Sequence, residues 1–271
     1  MRRLWFLAVL GCLPLCSEEA RVDRAEQSLM QGDLAAAEAD YRVVLDDNPN
    51  NVDALYGLGW TYHMASQRDR AREYFKRCVR LAPEDYRGHR GLGVIALADG
   101  NALLARTHLA DALELAPGEP RILNSIGLAL LAEGNDTAAL ERFQEAYAAD
   151  PSSGEVGYNV AEVQFRLDDH ETALQTVDDA LSGEIDEVRF RGLLLELRAR
   201  ILLRMTSGRV DESDCEGTAP PTLAWLDAAD RAVDQAEGAG LAAHVATSTR
   251  RSIHRRRSVV TERCPGYEAE G

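Results

Sequence analysis

The sequence predicts an all-α fold: an α-solenoid of about five helix-turn-helix repeats followed by a C-terminal helical cap. Three observations carry this. Residues recur with a 34-residue period, with Gly59, Gly93 and Gly127 at one phase, Ala71, Ala105 and Ala139 twelve residues on, and Pro83, Pro117 and Pro151 twelve further. A fixed period of this length marks a unit that cannot bury its apolar face alone and stacks on its own copies. Turn signals fall between the two helical stretches of each copy, at Gly32-Asp33, Gly100-Asn101 and Gly134-Asn135. Nowhere do β-branched residues alternate with polar ones over the length of a strand, so the period is a helical one.

The elements follow in order. Ala25, Gly32, Ala37, Tyr41 and Pro49 keep the register of a weak first copy. In the second, Leu55, Leu58-Gly59 and Tyr62 share one helix, Ala71 and Phe75 the next, and Pro83 closes the unit. The third reads His89, Leu92-Gly93, Ala105, Leu109 and Pro117; the fourth reads Leu123, Ile126-Gly127, Ala139, Phe143 and Pro151. A fifth, with Val160-Ala161, Ala173, Val177 and Ala180, lacks a closing proline. The small residues let paired helices approach closely where they cross, which justifies a mid-helix glycine that otherwise costs about 1 kcal/mol against alanine. Gly-Asp and Gly-Asn supply positive φ and a capping side chain. Each proline pushes its predecessor out of the helical region and stops the second helix. After residue 183 the register fades but apolar periodicity continues, with Val188, Leu193, Leu195, Leu197, Ile201, Leu202 and Met205 on one long helix. A polar loop from Ser207 to Pro221 and two helices, about Thr222 to Glu237 and Leu241 to Arg263, complete the reading. Residues 18–183 are thus the expected repeat array, 184–271 a region that caps its open apolar end, and 1–17 an amino-terminal segment with a separate role.

The repeated phrase resembles the tetratricopeptide repeat family, whose pattern runs W-x2-L-G-x2-Y, then A-x3-F, then P. The resemblance covers residues 18–183 and implies a right-handed superhelix, no catalysis, and protein or peptide partners held in a concave groove lined by the first helix of each pair. The groove positions are then Tyr56, Trp60 and His63; Arg87, Arg90, Val94 and Leu97; Arg121, Asn124, Leu128 and Leu131; and Tyr158, Glu162 and Phe165. Tyr56, Trp60, Arg87, Arg90, Arg121, Asn124, Tyr158 and Phe165 are the candidate partner-binding residues. Arginine forks a carboxylate and Trp or Tyr packs with little entropy lost, so an extended peptide with acidic and apolar side chains is the expected ligand. The two-carboxylate clamp of chaperone-binding members is not reproduced, since Tyr56, Trp60, Gly91 and Ser125 stand where its lysine, asparagine and arginine belong.

Charge narrows the partners. Residues 18–183 hold 30 acidic against 15 basic side chains and residues 184–271 hold 15 against 13, so the array carries the formal net charge of −15. A nucleic acid would be repelled over most of such a surface; a solvated face explains the same acidity. Arg250, Arg251, Arg255, Arg256 and Arg257 cluster on the last helix, suited to an anionic partner or to internal pairing with acidic residues. The search for chemistry is empty: His170-Glu171 lacks the second histidine of a zinc-protease motif because Leu174 stands there, and no Walker lysine or G-x-S-x-G elbow is present. No enzyme activity, metal site, cofactor or small-molecule substrate is expected.

At the amino terminus, Arg2-Arg3 precede the apolar run Leu4 to Leu10, too short to span a bilayer. Val9-Leu10-Gly11-Cys12 resembles a bacterial lipobox, which would make Cys12 a lipidation site and its lipid the expected link to a membrane. Cleavage after Ser17 and a retained segment are the alternatives. Cys78 falls on an inner helix face, as an inert buried thiol does. Cys215 and Cys264 lie outside the array; in an exported chain a disulfide between them would close a loop of about 50 residues, while in a cytoplasmic one both stay reduced. Two functions remain: an exported scaffold on the periplasmic side of the cell envelope, and a cytoplasmic adaptor or regulatory subunit with a hydrophobic extension.

Overall fold

A computed structural model of the chain describes residues 17–183, 188–207 and 215–265. The expected signal segment and Cys12 lie outside the described residues. These hold α-helices and no strand, in the order α1 (Glu18–Met30), α2 (Leu34–Asp47), α3 (Val52–Met64), α4 (Arg68–Leu81), α5 (Tyr86–Ala98), α6 (Ala102–Leu115), α7 (Pro120–Ala132), α8 (Asp136–Ala149), α9 (Gly154–Arg166), α10 (His170–Ser182), α11 (Val188–Met205), α12 (Cys215–Gly238) and α13 (Ala243–Arg263). The first ten pair into five helical hairpins, the all-α repeat class the sequence predicts.

Local chemistry repeats with the period. Each first helix ends on a residue in the left-handed region: Gly32, Gly100 and Gly134 at φ of 79°, 76° and 78°, and, in the second and fifth copies, Ser66 at 59° and Asp168 at 61°. The next residue donates its N–H to the carbonyl five positions back, as in Asp33 to Ser28 (2.9 Å), Gln67 to Tyr62 (2.8 Å) and Asp169 to Gln164 (3.0 Å), closing the helix end. That same residue then caps the second helix. Asp33, Asn101, Asn135 and Asp169 each accept from a backbone N–H three residues on, whereas Gln67 makes no such bond. The α3–α4 turn therefore carries two local defects, a β-carbon in the left-handed region and an unfilled cap. A Ser66→Gly, Gln67→Asp double variant should gain roughly 1–2 kcal/mol in equilibrium denaturation; an unchanged midpoint would mean that turn is already relaxed.

Packing repeats too. Ala37, Ala71, Ala105, Ala139 and Ala173 are fully buried, as are Tyr41, Phe75, Leu109, Phe143 and Val177 four residues later. The contacts divide the chain into two compact units, one up to Pro117 and one from Gly118. In the first, the large side chains enter gaps left by glycine: a β-carbon on Gly57 would overlap the Tyr41 ring, and one on Gly59 or Gly91 would overlap the Phe75 ring. Tyr62 seals the α2–α3 contact, its Oη accepting from Arg42 (2.9 Å) and donating to Glu38 (3.0 Å).

In the second unit, α11 packs on α9, α10 and α12. Its Leu194, Leu197 and Ile201 join Ala161, Ala173 and Val177 in one core. Helices α12 and α13 build another around Leu226, Ala229, Val233, Ile253 and Val260. Arg250 reaches Asp234 and Glu237, and Arg257 reaches Asp227, so two of the clustered arginines are matched by acidic residues on α12. One expectation is corrected here. The loop reading to Pro221 gives way to a helix that begins at Cys215 and runs through Pro220 and Pro221. Two prolines remove two donors from the ladder, but burial of Ala219 and a disulfide at the first residue hold this turn in place. That bond joins Cys215 to Cys264, just past α13, with Cα atoms 5.6 Å apart. Among the described residues no helix is long and apolar enough to cross a membrane.

Candidate functional site

The candidate residues divide between the two units. In the first, Tyr56, Trp60 and His63 lie at i, i+4 and i+7 on α3, one face of the helix, and Arg87 and Arg90 lie on α5, one repeat on. The 34-residue offset places Arg90 over the α3 face: its Nη2 donates to Tyr56 Oη at 2.6 Å, and its Cζ sits 4.6 Å from the Trp60 ring centroid. Trp60 is edge-on to His63 (5.3 Å) and to the buried Phe75 (5.5 Å), so the platform under Arg90 is rigid aromatic packing. Burial, then the charges of Arg68 and Arg90, push the His63 pKa down and favour neutral imidazole. Trp60 Nε1, His63 Nδ1 and Arg90 Nε are buried and make no hydrogen bond among the described residues.

The two arginines differ in what they have left to offer. Arg87 is bound by Asp85 (2.6 Å) and Asp53 (2.8 Å); the Asp85 hydrogen bonds, ahead of those from Asp53, raise its pKa. Its charge is spent within the fold. Arg90 pairs with no carboxylate among the described residues, although the chain has 45 acidic side chains against 30 basic. A half-buried guanidinium fixed by a phenol and an indole, with carboxylate-binding capacity unused, is preorganised to donate to an acidic group.

In the second unit, Asn124 is buried and already occupied, donating to Glu155 (3.1 Å) and accepting from Asn159 (2.8 Å). Arg121 is exposed and makes no ion pair among the described residues. Tyr158 and Phe165 pack with the core formed by α9, α10 and α11. Arg200 of α11 stands 5.2 Å over the Phe165 ring and reaches Glu162 at 3.1 Å, so α11 covers this stretch of α9. Glu196 beside it has its pKa raised by burial. These two aromatics are engaged by the chain's own helix, which the groove positions alone did not reveal.

The cysteines fall into two kinds. Cys78 is buried and free, its thiol pushed up to about 12 by burial, so it is protonated and inert at neutral pH. Cys215 and Cys264 are bonded. One cluster has no counterpart in the sequence reading: His89 on α5 meets His108 and Asp111 on α6. The two histidines are 19 residues apart across a turn, a spacing that matches no ligand motif; the available signal was a histidine at a repeat position that holds Leu55 and Leu123 in the neighbouring copies.

Comparison with known proteins places these features in a family. Residues 28–93 and 130–197 match the family described as Tetratricopeptide repeat. No curated protein matches the chain. Among solved structures, the APC/C hetero-tetramer Cut9-Hcn1 aligns with a TM-score of 0.69 at 14% identity, covering 88% of this chain and 43% of that one, so the chain spans less than half of it. A tetratricopeptide repeat protein from Parabacteroides merdae aligns with a TM-score of 0.62 at 16% identity, covering 90% and 86% of the two chains. A thermophilic tetratricopeptide repeat protein of Thermus thermophilus also gives 0.62, at 21% identity, covering 67% of this chain and 98% of that one. At these identities the likeness is one of fold.

Proposed function

This chain belongs to the tetratricopeptide repeat family, and from that premise we propose that it is a non-catalytic scaffold whose α3–α5 surface captures an extended partner segment carrying an acidic residue beside apolar ones. One observation carries the reading: Arg90, held by Tyr56 and Trp60, has no carboxylate partner among the described residues of an acidic chain. The partner's carboxylate takes the place of the missing acid, and its neighbouring apolar side chain packs on the exposed part of the aromatic platform.

The test is a panel of synthetic ten-residue peptides that differ in one central residue (Asp, Glu, Asn or Lys), with binding read by anisotropy and by Trp60 fluorescence. The acidic peptides should bind best. Arg90→Glu should weaken them by about 10- to 100-fold, the range of a charged hydrogen bond gained or lost, with far-UV circular dichroism unchanged. Equal binding of Asp and Lys peptides, or an Arg90→Glu variant that binds as the native chain does, would overturn the assignment.

For location we propose the oxidising side of a bacterial cell envelope, with anchoring through a lipid on Cys12. The Cys215–Cys264 bond supports an oxidising compartment, because cytosolic thiols are kept reduced. Intact mass of the natively produced protein, from membrane and soluble fractions and with and without reductant, tests both points. Loss of residues 1 to 11 with an added acyl mass is the expected result, together with two protons gained on reduction. A full-length, reduced, soluble protein would favour a cytoplasmic adaptor instead.

A further inference from the structure

The histidine cluster of the third hairpin is unlike anything in the other four. His89 occupies the register position of Leu55 and Leu123, which are 0% and 5% exposed core residues. Replacing a buried leucine by histidine inserts polar nitrogens where the neighbouring copies bury only carbon. His89 Nδ1 and His108 Nδ1 are both buried without a hydrogen bond among the described residues, so the fold itself does not satisfy them. His108 and Asp111 stand at i and i+3 on α6, one face of one helix. The hairpin turns that face to His89, and the three ligand-type atoms lie within 4.8 Å of one another.

We propose that His89, His108 and Asp111 bind a divalent transition cation of the zinc class across the α5–α6 hairpin. Two imidazoles and one carboxylate are a borderline-soft donor set that suits Zn²⁺ and disfavours the hard, oxygen-seeking Mg²⁺ and Ca²⁺. Around a tetrahedral zinc ion with bonds of 2.0–2.1 Å, neighbouring donor atoms sit about 3.3 Å apart. His89 Nδ1 and Asp111 Oδ2 are already 3.4 Å apart, and rotation about the side-chain bonds of His108 brings in the third donor. The His89 side chain is 16% exposed and that of Asp111 49%. The ion would therefore enter past the carboxylate, with its fourth position open to water. A cation there ties the two helices of the hairpin together and gives the paired nitrogens the partner they lack.

The experiment uses the full chain, free of any histidine tag. ZnCl2 is titrated in a calorimeter and in thermal unfolding, with MgCl2 as the hard-cation control. Zinc should bind 1:1 and raise the unfolding temperature, and magnesium should do neither. His89→Leu, the residue that the neighbouring repeats carry, should fold at least as well as the native chain and lose the zinc response. Asp111→Asn, a partly exposed change that leaves the core alone, should weaken zinc by more than the roughly 10–100-fold expected from losing a mere supporting hydrogen bond. Absence of saturable 1:1 binding overturns the proposal. So does zinc binding that survives His89→Leu, because the ion would then sit on other histidines.

Discussion

A Cys215→Ser, Cys264→Ser double variant is expected to lower the stability of the second unit by about 4 kcal/mol, the loop-entropy value for a cross-link that closes some 50 residues. The bond ties the first residue of α12 to the residue just past α13, and between those ends lies the whole α12–α13 pair. The start of α12 departs from regular helix chemistry. Pro220 and Pro221 deprive its first turns of two backbone donors, and Ala219 offers a single methyl to the core. Loss should therefore be local as well as global. Hydrogen exchange at the start of α12 and the end of α13 should accelerate first, while α1 to α6, in the first unit, keep their protection. Reductant alone should reproduce the effect in the native chain. A denaturation midpoint indifferent to reductant would mean that α12 and α13 are held by their apolar contacts and the bond adds nothing.

The same region marks where sequence reasoning ends. The repeat array was legible because its determinants are local and recur: a left-handed residue at every thirty-fourth position, a cap beside it, a small residue facing a large one. Even Ser66, which propensity would not place at positive φ, is where the period requires it, and Asp168 is of a residue type that tolerates that region. The helix through Pro220 and Pro221 was not legible, since prolines read as a break and what overrides them is a cross-link to a residue 49 positions away. The site divides the same way. Arg90 meets Tyr56 because one repeat separates them, and register alone gives that pairing. The cover that α11 places over Tyr158 and Phe165 comes from outside the period, and the contact of His89 with His108 and Asp111 depends on how two helices face each other across a turn. No spacing rule expresses either.

Phe75→Ala is expected to cost about 4–5 kcal/mol, at the top of the range for deleting a buried aromatic ring. The size of that cost depends on how far the surroundings can relax into the space left behind, and here they can relax very little. Phe75 is fully buried, and two of its walls are the bare backbones of Gly59 and Gly91, contributed by consecutive repeats. Glycine has no side chain to swing into a cavity, so the void persists unless helices α3 and α5 move bodily. Phe75→Leu retains more of the volume and should cost distinctly less. The ring also underlies the candidate site: Trp60 and Tyr56 lie 5.5 and 6.0 Å from it, and those two residues hold Arg90. Phe75→Ala should therefore weaken acidic peptides even at temperatures where the variant remains folded, whereas Phe143→Ala, the equivalent change in the second unit, should cost stability without altering peptide preference. Measured by denaturant unfolding, a loss below about 1 kcal/mol for Phe75→Ala would mean that the repeats collapse freely around the gap. Equal loss of peptide binding in both variants would detach the aromatic platform from recognition.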